Sequence, residues 1–362
     1  MTDSLSIDNT VVAPKRSYCR TKSTSRTNLE DVIVNSHAPT TEIKAAILPS
    51  GMAAISAVFH ALFSKNKTGE LLLSDELYCD TPQCAKAWKK QYGFQIKTFD
   101  VRNAELLLEM VQSSKAPFQL LFLESCSNPS GKMLDWSIIV KLKKINPGLV
   151  VCVDNTWLTS VLFNPFEVGA DIVVESMSKY RSRGKLIGGF VCCKKQFIKD
   201  IKKYITLHGM FIGADHCEIF IKSDQSLAER LQKAGDIATQ IMLALDKDAT
   251  IIGPLQSNHP STFVYLKDIK PAVFLMHVES RCSLADIENI VYPPGLKKET
   301  SYGASYSKID PWPRLGLSTD YTDQDQTDAK QGVWLRVSVG YDESYSFLFK
   351  NLQTVIQTLQ NL

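Results

Sequence analysis

Four short segments of this chain carry polar residues where apolar ones would serve packing equally well. Glu124-Ser125-Cys126-Ser127-Asn128-Pro129, Asp154-Asn155-Thr156-Trp157 and Ser176-Met177-Ser178-Lys179-Tyr180 each end a short apolar run. The fourth, Pro49-Ser50-Gly51-Met52, opens a helical pattern. A lysine in such a place can condense with an aldehyde, and a carboxylate at a neighbouring strand end can hold a proton on a ring nitrogen. A helix N-terminus supplies free backbone N–H groups to a phosphate, with a glycine permitting close approach. Singly, each feature has an ordinary explanation: an Asp that caps a helix, a solvated Lys, a Ser-Gly turn. Only their combination points to chemistry.

These groups meet only if the fold brings the segment ends together. Between about residue 40 and residue 195, apolar runs at 70–74, 95–99, 119–124, 149–154, 171–175 and 187–193 read as strands. Helical patterns at 52–63, 82–92, 104–112 and 135–144 lie between them. Repeated strand-helix alternation with strands apolar on both faces predicts an α/β fold, a mainly parallel sheet with helices on both faces. Ligands of such sheets bind beyond the carboxyl ends of the strands, where the three polar segments fall. Neighbouring strands run about 4.8 Å apart, so two strand-end side chains can grip opposite sides of one small planar molecule. An amine, an anion and a phosphate turn on that edge describe a site for pyridoxal 5′-phosphate (PLP). A helical stretch at 215–245 leads into strand candidates at 272–279 and 332–339 and a closing helix at 343–359, a smaller α+β domain. The segment 292–330 reads as loops. The expected division is an arm at 1–24, a large domain at 25–230 and a C-terminal domain at 231–362.

Composition narrows the class further. With 362 residues, 44% hydrophobic and 22% charged, the chain is globular and long enough for roughly two cores. The balance of 41 basic against 38 acidic residues argues against a strong electrostatic grip on nucleic acid. Nine cysteines, an odd number with no Cys-x-x-Cys spacing, suit a reducing, intracellular setting. Residues 1–10 are polar and acidic, unlike a secretory leader, and no apolar run approaches the roughly 18 residues that span a bilayer. A cytoplasmic protein with no membrane partner is the expectation.

The sequence resembles the Cys/Met-metabolism PLP enzymes, which include cystathionine γ-synthase, cystathionine γ-lyase, methionine γ-lyase and homoserine sulfhydrylases. Asp154-Asn155-Thr156-Trp157, Asn164-Pro165, Gly169-Ala170-Asp171-Ile172-Val173-Val174 and Ser176-x-Ser178-Lys179-Tyr180 match the family's cofactor signature in order and spacing. Ser50-Gly51-Met52-Ala53-Ala54-Ile55 resembles its phosphate turn, Ser125-x-Ser127-Asn128-Pro129 its Asn-Pro motif, and Leu335-Arg336-Val337-Ser338-Val339-Gly340 its Arg-bearing strand. Weaker echoes are Tyr18-Cys19-Arg20, Ser257-Asn258-His259-Pro260 and Ser283-Leu284-Ala285-Asp286-Ile287-Glu288.

The resemblance implies a PLP-dependent transferase fold of type I and a role for each matching residue. Lys179 would hold PLP and then move protons on the substrate. Asp154 would pair with the ring nitrogen, and Asn128 would lie near the ring hydroxyl. Tyr78 would stack on the ring and protonate a leaving group, while Gly51, Met52, Ser176 and Ser178 would bind phosphate. Tyr18 and Arg20 would reach the phosphate of a neighbouring subunit, which implies a homodimer or homotetramer. Arg336 would grip the substrate carboxylate bidentately, with Ser283 nearby.

Three departures from the family bear on function. Arg181-Ser182-Arg183-Gly184-Lys185 replaces the usual Gly-His-Ser-Asp loop, and Gly188-Gly189 arrives one residue early. The arm carries Ser23-Thr24-Ser25 in place of Asn-Pro-Thr. Gln83 stands where enzymes acting on cystathionine carry an Arg, and Asp80 adds an anion beside it. Gln offers no charge-assisted fork, which favours a substrate with a short or neutral far end, such as methionine or an O-acylated homoserine. The expected function is γ-elimination or γ-replacement on a sulfur-containing or homoserine-derived amino acid. The altered loop motivates the alternative of a PLP-binding but catalytically weak subunit. A nucleotide-binding protein is disfavoured, since no Gly-x-Gly-x-x-Gly or phosphate-loop motif occurs.

Overall fold

The structure, a computed structural model, describes residues 20, 22–37, 40–245, 248–252, 270–281, 284–290, 292–312 and 332–362. The first part alternates strand and helix: α1 (Thr24–His37), β1 (Ile43–Leu48), α2 (Gly51–Phe63), β2 (Glu70–Ser74), α3 (Asp80–Tyr92), β3 (Gln95–Phe99), α4 (Ala104–Ser113), β4 (Gln119–Glu124), α5 (Ile138–Ile145), β5 (Val150–Asp154), α6 (Thr159–Leu162), β6 (Ile172–Ser176), β7 (Gly189–Lys194) and α7 (Lys195–His208). The strands form one seven-stranded sheet in the order β1-β7-β6-β5-β4-β2-β3. Strands β3, β2, β4, β5 and β6 run parallel, and β7 is antiparallel to both β6 and β1.

Alternation along the central strands explains the two layers of helix. Leu121, Leu123, Val151 and Val153 face one way and pack with Leu107 and Val111 of α4 and Ile138, Ile139 and Leu142 of α5. Leu120, Phe122, Val150 and Cys152 face the other way, against Val58, Phe59 and Phe63 of α2. Beyond β2 the chain moves outward to β3, whereas β4, β5 and β6 build in the opposite direction. The reversal opens a crevice at the carboxyl ends of β2 and β4, the usual place for a ligand. Helices α8 (Ala214–Asp224) and α9 (Leu227–Leu245) lead to a second sheet of β8 (Thr250–Ile252), β9 (Val273–Val278), β10 (Lys297–Lys298), β11 (Lys308–Trp312) and β12 (Val333–Ser338), in the order β10-β11-β12-β9-β8. Its apolar face packs on α9 and on the closing helix (Tyr345–Gln360).

The α/β class and the mainly parallel sheet agree with the sequence reading; several elements do not. Strand β1 escapes notice because Lys44, Ala45 and Ala46 give little strand signal, and its pairing with β7 supplies what propensity lacks. The stretch 215–245 is two helices, broken between Asp224 and Leu227. The segment read as loops contains β10 and β11, and β11 pairs antiparallel with β12 over five residues. Its alternation is hidden because Lys308 and Asp310 are buried as ion pairs with Glu299 and Arg336. The last strand of the large sheet starts at Gly189, not at Ile187, which is exposed. Among the described residues no helix is long and apolar enough to cross a membrane, and no cluster of three or more His, Cys, Asp or Glu residues could hold a metal.

Gly189 joins the sheet to the site. A methyl group there would lie inside the Ser50 carbonyl and 2.6 Å from the Gly51 nitrogen, so only glycine lets β7 pass beneath the start of α2. Gly189→Ala is expected to lower stability by about 2 kcal/mol, the scale of a backbone clash in a packed interior. A urea midpoint unchanged from wild type would refute this account of the glycine.

Candidate active site

Asp154 ends β5, the strand at the middle of the seven. Its Oδ1 accepts the Thr156 backbone N–H at 2.9 Å and the Thr156 hydroxyl at 2.5 Å. Thr156 Oγ1 in turn accepts the Ser176 N–H at 2.8 Å, tying the ends of β5 and β6 together. Burial pushes the Asp154 carboxyl up to about 6, against the pull of the two Thr156 hydrogen bonds and of the Lys179 charge. Lys179 lies three residues beyond the end of β6, the strand that pairs with β5.

Lys179 follows β6 in a tight turn and is half-buried. Its Nζ donates to Ser301 Oγ at 3.1 Å and stands 5.4 Å from the centre of the Tyr302 ring. A methyl at Gly303 would approach the Lys179 carbonyl carbon to 2.5 Å, and Gly303 has φ +85°, so a glycine is required for this segment to close over the lysine. Tyr302 is buried, with Glu124, Asp154 and Arg336 near enough to act on its hydroxyl, which burial pushes well up.

The phosphate turn sits beside Ser176. Ser50 caps α2 by accepting the Ala53 N–H at 3.0 Å, and no acidic residue occupies the first turn of the helix. A methyl at Gly51 would come within 2.7 Å of Ser176 Cβ. The helix start at Gly51 and Met52 thus lies next to Ser176. Ser178 differs: its hydroxyl donates to the Gly188 carbonyl at 3.2 Å and accepts the Gly188 N–H at 3.1 Å, so its proton is engaged within the turn.

Two further groups face the crevice. Glu124, ending β4 beside Asp154, accepts the Tyr78 backbone N–H at 2.5 Å, which fixes the loop after β2 where Tyr78 stands partly exposed. Burial, and secondarily the Asp154 charge, push the Glu124 carboxyl well above the usual range. Arg336 in β12 is buried; its Nη1 donates to Asn128 Oδ1 at 2.7 Å, and its Nη2 donates to Asp310 Oδ2 at 2.8 Å and to the Thr300 carbonyl. Leu335 and Val337, its neighbours in the strand, point the other way into the core.

The structure places Asp154 at the end of β5 and Ser176, Ser178 and Lys179 at and after the end of β6, sets the Gly51-Met52 helix start against Ser176 and Tyr78 on Glu124 at the end of β4, and joins Asn128 to Arg336 of the second sheet. Arg20 is exposed and lies over Phe211 at 5.9 Å, its carbonyl accepting from Arg26, outside that group of contacts. Tyr18 and Ser283 lie outside the described residues. Sequence reasoning gave no role to Glu124 and Thr156, although both stand inside the quoted strand-end segments. It missed Ser301, Tyr302, Gly303 and Asp310 because they fall in the stretch read as loops. The residues present fit PLP: a half-buried amine, a buried carboxylate held by a hydroxyl, and an acid-free helix N-terminus whose glycine lets Ser176 pack directly against it.

Comparison with known proteins agrees. The family model of the Cys/Met metabolism PLP-dependent enzymes matches residues 5–342. The chain is 26% identical over 334 residues to an L-methionine gamma-lyase of Fusobacterium nucleatum, covering 83% of each. It is 25% identical over 284 residues to the cystathionine beta-lyase MetC of Bacillus subtilis, covering 76% of this chain and 70% of that one. In fold it is similar to a cystathionine gamma lyase of Micromonospora echinospora, with TM-score 0.82 at 19% identity over 96% of this chain and 90% of that one. A strand-end Asp, the Lys-bearing turn, the glycine-opened helix and a match along nearly the whole length agree on one conclusion: the chain belongs to the Cys/Met metabolism PLP-dependent enzymes.

Proposed function

We propose that this protein catalyses γ-elimination or γ-replacement on a sulfur-containing or homoserine-derived amino acid. The observation that carries the reading is the placing of Asp154 at the end of β5 and of Lys179 in the turn after the neighbouring β6, beside the open start of α2. Bound there, PLP supplies an aldehyde for an amine and a ring that takes up the charge left when a proton leaves carbon.

The chain's own groups divide the remaining work. Arg336, steadied by Asp310 and Asn128, binds the substrate carboxylate and so fixes how the Cα–H bond is directed. Lys179, resting on Ser301, is the base that moves protons at Cα and Cβ. Asp154 keeps a proton on the ring nitrogen, with Thr156 fixing the direction of its lone pairs. Gly51, Met52 and Ser176 receive the phosphate, and Ser178 acts through the Gly188 backbone. Tyr78, positioned by Glu124, protonates the departing group. Tyr18 and Arg20 complete the site of a neighbouring subunit in a dimer or tetramer.

The far end of the substrate is set by α3. Gln83 and Asp80 are exposed on its first turn, and neither attracts a distal carboxylate. Methionine and O-acylated homoserines therefore suit the site better than cystathionine, although both kinds of substrate occur in the names of its relatives.

Purified protein should show a visible absorbance band that borohydride fixes onto the Lys179 peptide, and Lys179→Ala should lose both band and turnover. On a panel of methionine, homocysteine, cystathionine, cysteine and O-acetylhomoserine, wild type should release thiol or ketoacid fastest from substrates without a distal charge. A colourless wild-type protein would end the reading. Gln83→Arg should lower KM for cystathionine about tenfold and leave that for methionine within about twofold, since one charge-assisted fork contributes roughly 1.5 kcal/mol or more. An unchanged cystathionine KM would remove Gln83 from specificity.

Asp154 also makes a stability prediction. Its carboxyl in the fold lies above its ordinary 3.8, so the folded chain holds a proton that the unfolded chain releases. That contribution to stability is fully present below 3.8 and is lost as pH rises to about 6. At neutral pH the buried charge costs the cofactor-free protein on the order of 3 kcal/mol. Asp154→Asn keeps an oxygen for both Thr156 hydrogen bonds, so it should raise the cofactor-free melting temperature at pH 7, flatten its pH dependence between pH 4 and 6, and weaken PLP binding. Equal melting temperatures at pH 7 would contradict it.

A further inference from the structure

The turn that carries Lys179 is anchored from behind by three arginines, two of them in the segment that departs from the family pattern. Within the turn, Ser182 N–H donates to the Met177 carbonyl at 2.9 Å, Arg183 N–H to Tyr180 at 3.2 Å and Gly184 N–H to Lys179 at 3.0 Å. Arg183 sits at φ +60° and Gly184 at φ +71°, so the loop doubles back through two left-handed residues, one of which has a side chain that disfavours it. Such a conformation persists only where surrounding contacts over-determine it.

Those contacts converge on the junction between α8 and α9. The Arg181 side chain is 1% exposed. Its Nε donates to Glu175 at 2.6 Å, its Nη2 to Ser160 at 3.2 Å, and its Nη1 pairs with Asp224, the last residue of α8. Arg230, buried in α9, donates from Nη1 to the Tyr180 carbonyl at 2.6 Å, from Nη2 to the Ser223 carbonyl at 3.0 Å and from Nε to Ser226 at 3.2 Å. Arg183 Nη2 donates to the same Ser226 hydroxyl at 2.9 Å. Burial and the Arg183 charge hold Arg230 down to about 10. The break in the helix at residues 225 and 226 thus presents the hydroxyl that two of the three arginines share.

We propose that Arg230, together with Arg181, is a positioning residue for Lys179: it grips the Tyr180 carbonyl and so fixes the backbone from which the lysine swings. The clamp does without the Gly-His-Ser-Asp loop that this chain lacks. Its purpose is geometric, because a base displaced by about 1 Å can lose up to a hundredfold in rate. Guanidinium is suited to the task, since its fork takes a carbonyl on each side at once. The proposal rests on the reading of Lys179 given above, but the clamp itself exists with or without cofactor, which separates the two experimentally.

The test uses full-length wild type, Arg230→Met and Arg230→Lys. In cofactor-free protein, amide hydrogen exchange at Ser182, Arg183 and Gly184 should accelerate at least about tenfold in Arg230→Met, with exchange in β4 and β5 unchanged. In PLP-loaded protein, Arg230→Met should keep its cofactor content, show an altered visible circular dichroism band, and lose about tenfold or more in kcat with KM within about twofold. Arg230→Lys, which retains one donor, should recover part of the band and of kcat. Should Arg230→Met fail to fold, Ser226→Ala, which removes the shared hydroxyl but leaves Arg230 the Tyr180 and Ser223 carbonyls, should move exchange and circular dichroism in the same direction. Unchanged turn exchange, or a lower melting temperature with unaltered dichroism and kcat, would overturn the proposal. A wild type that takes up no PLP while the exchange result holds would instead refute the reading of Lys179 and leave the clamp standing.

Discussion

A carboxylate buried at the end of the central strand is the constraint to which the rest of the molecule is fitted. Charge removed from water is unfavourable unless something replaces the lost hydration. Asp154 receives two hydrogen bonds from Thr156 and the field of Lys179, and its carboxyl still lies well above the ordinary range. Under the role proposed for Asp154, a protonated ring nitrogen would relieve that residual imbalance. In that proposal the site is half of an ion pair, and the cofactor would bring the other half.

The sheet exists to hold that half in place. Parallel strands with apolar residues on both faces bury β4, β5 and β6 between helices, so their carboxyl ends cannot shift independently. Glu124, Asp154 and Ser176 end three adjacent strands, and Thr156 laces two of them together. The reversal of strand order between β2 and β4 brings Tyr78 across to Glu124. Rigid strands hold Glu124, Asp154 and Ser176, while glycines at positions 51, 189 and 303 let the backbone close at the start of α2, under it in β7 and over Lys179. Where backbones must touch, the absence of a side chain does as much as its presence elsewhere.

The legible part of this architecture is the part written in periodicity and local motif. Long apolar strands such as β4 and β5 and the Ser50-Gly51 helix start announce themselves, because burial on two faces and a capped, acid-free first turn are local properties. Lys179 and Asp154 were recognisable because each interrupts an apolar pattern at a strand end. Strand β11 was not, since its charged residues are made tolerable by partners distant in sequence: Asp310 needs Arg336, 26 residues away. The place of Ser301 on Lys179, a separation of 122 residues, leaves no local trace. The engagement of the Ser178 hydroxyl by Gly188 likewise depends on how a shortened loop closes, which spacing alone does not dictate.

If Arg336 holds the substrate carboxylate as proposed, the same long-range pairing bears on how a substrate is held. Arg336 is buried, and an isolated guanidinium there would be unfavourable by several kcal/mol. Asp310, directly opposite in the antiparallel register, carries the compensating charge. An incoming carboxylate therefore meets an ion pair in place of a bare cation, and gains less Coulomb energy than the formal charge of Arg336 suggests. What it gains instead is direction, for a guanidinium held by Asp310, Asn128 and the Thr300 carbonyl has little rotational freedom to lose. Asn128 stands in the segment after β4 and Arg336 in β12, so one fork ties the two sheets together. Weak attraction with fixed orientation suits a reaction in which the direction of one C–H bond decides whether a proton leaves at all.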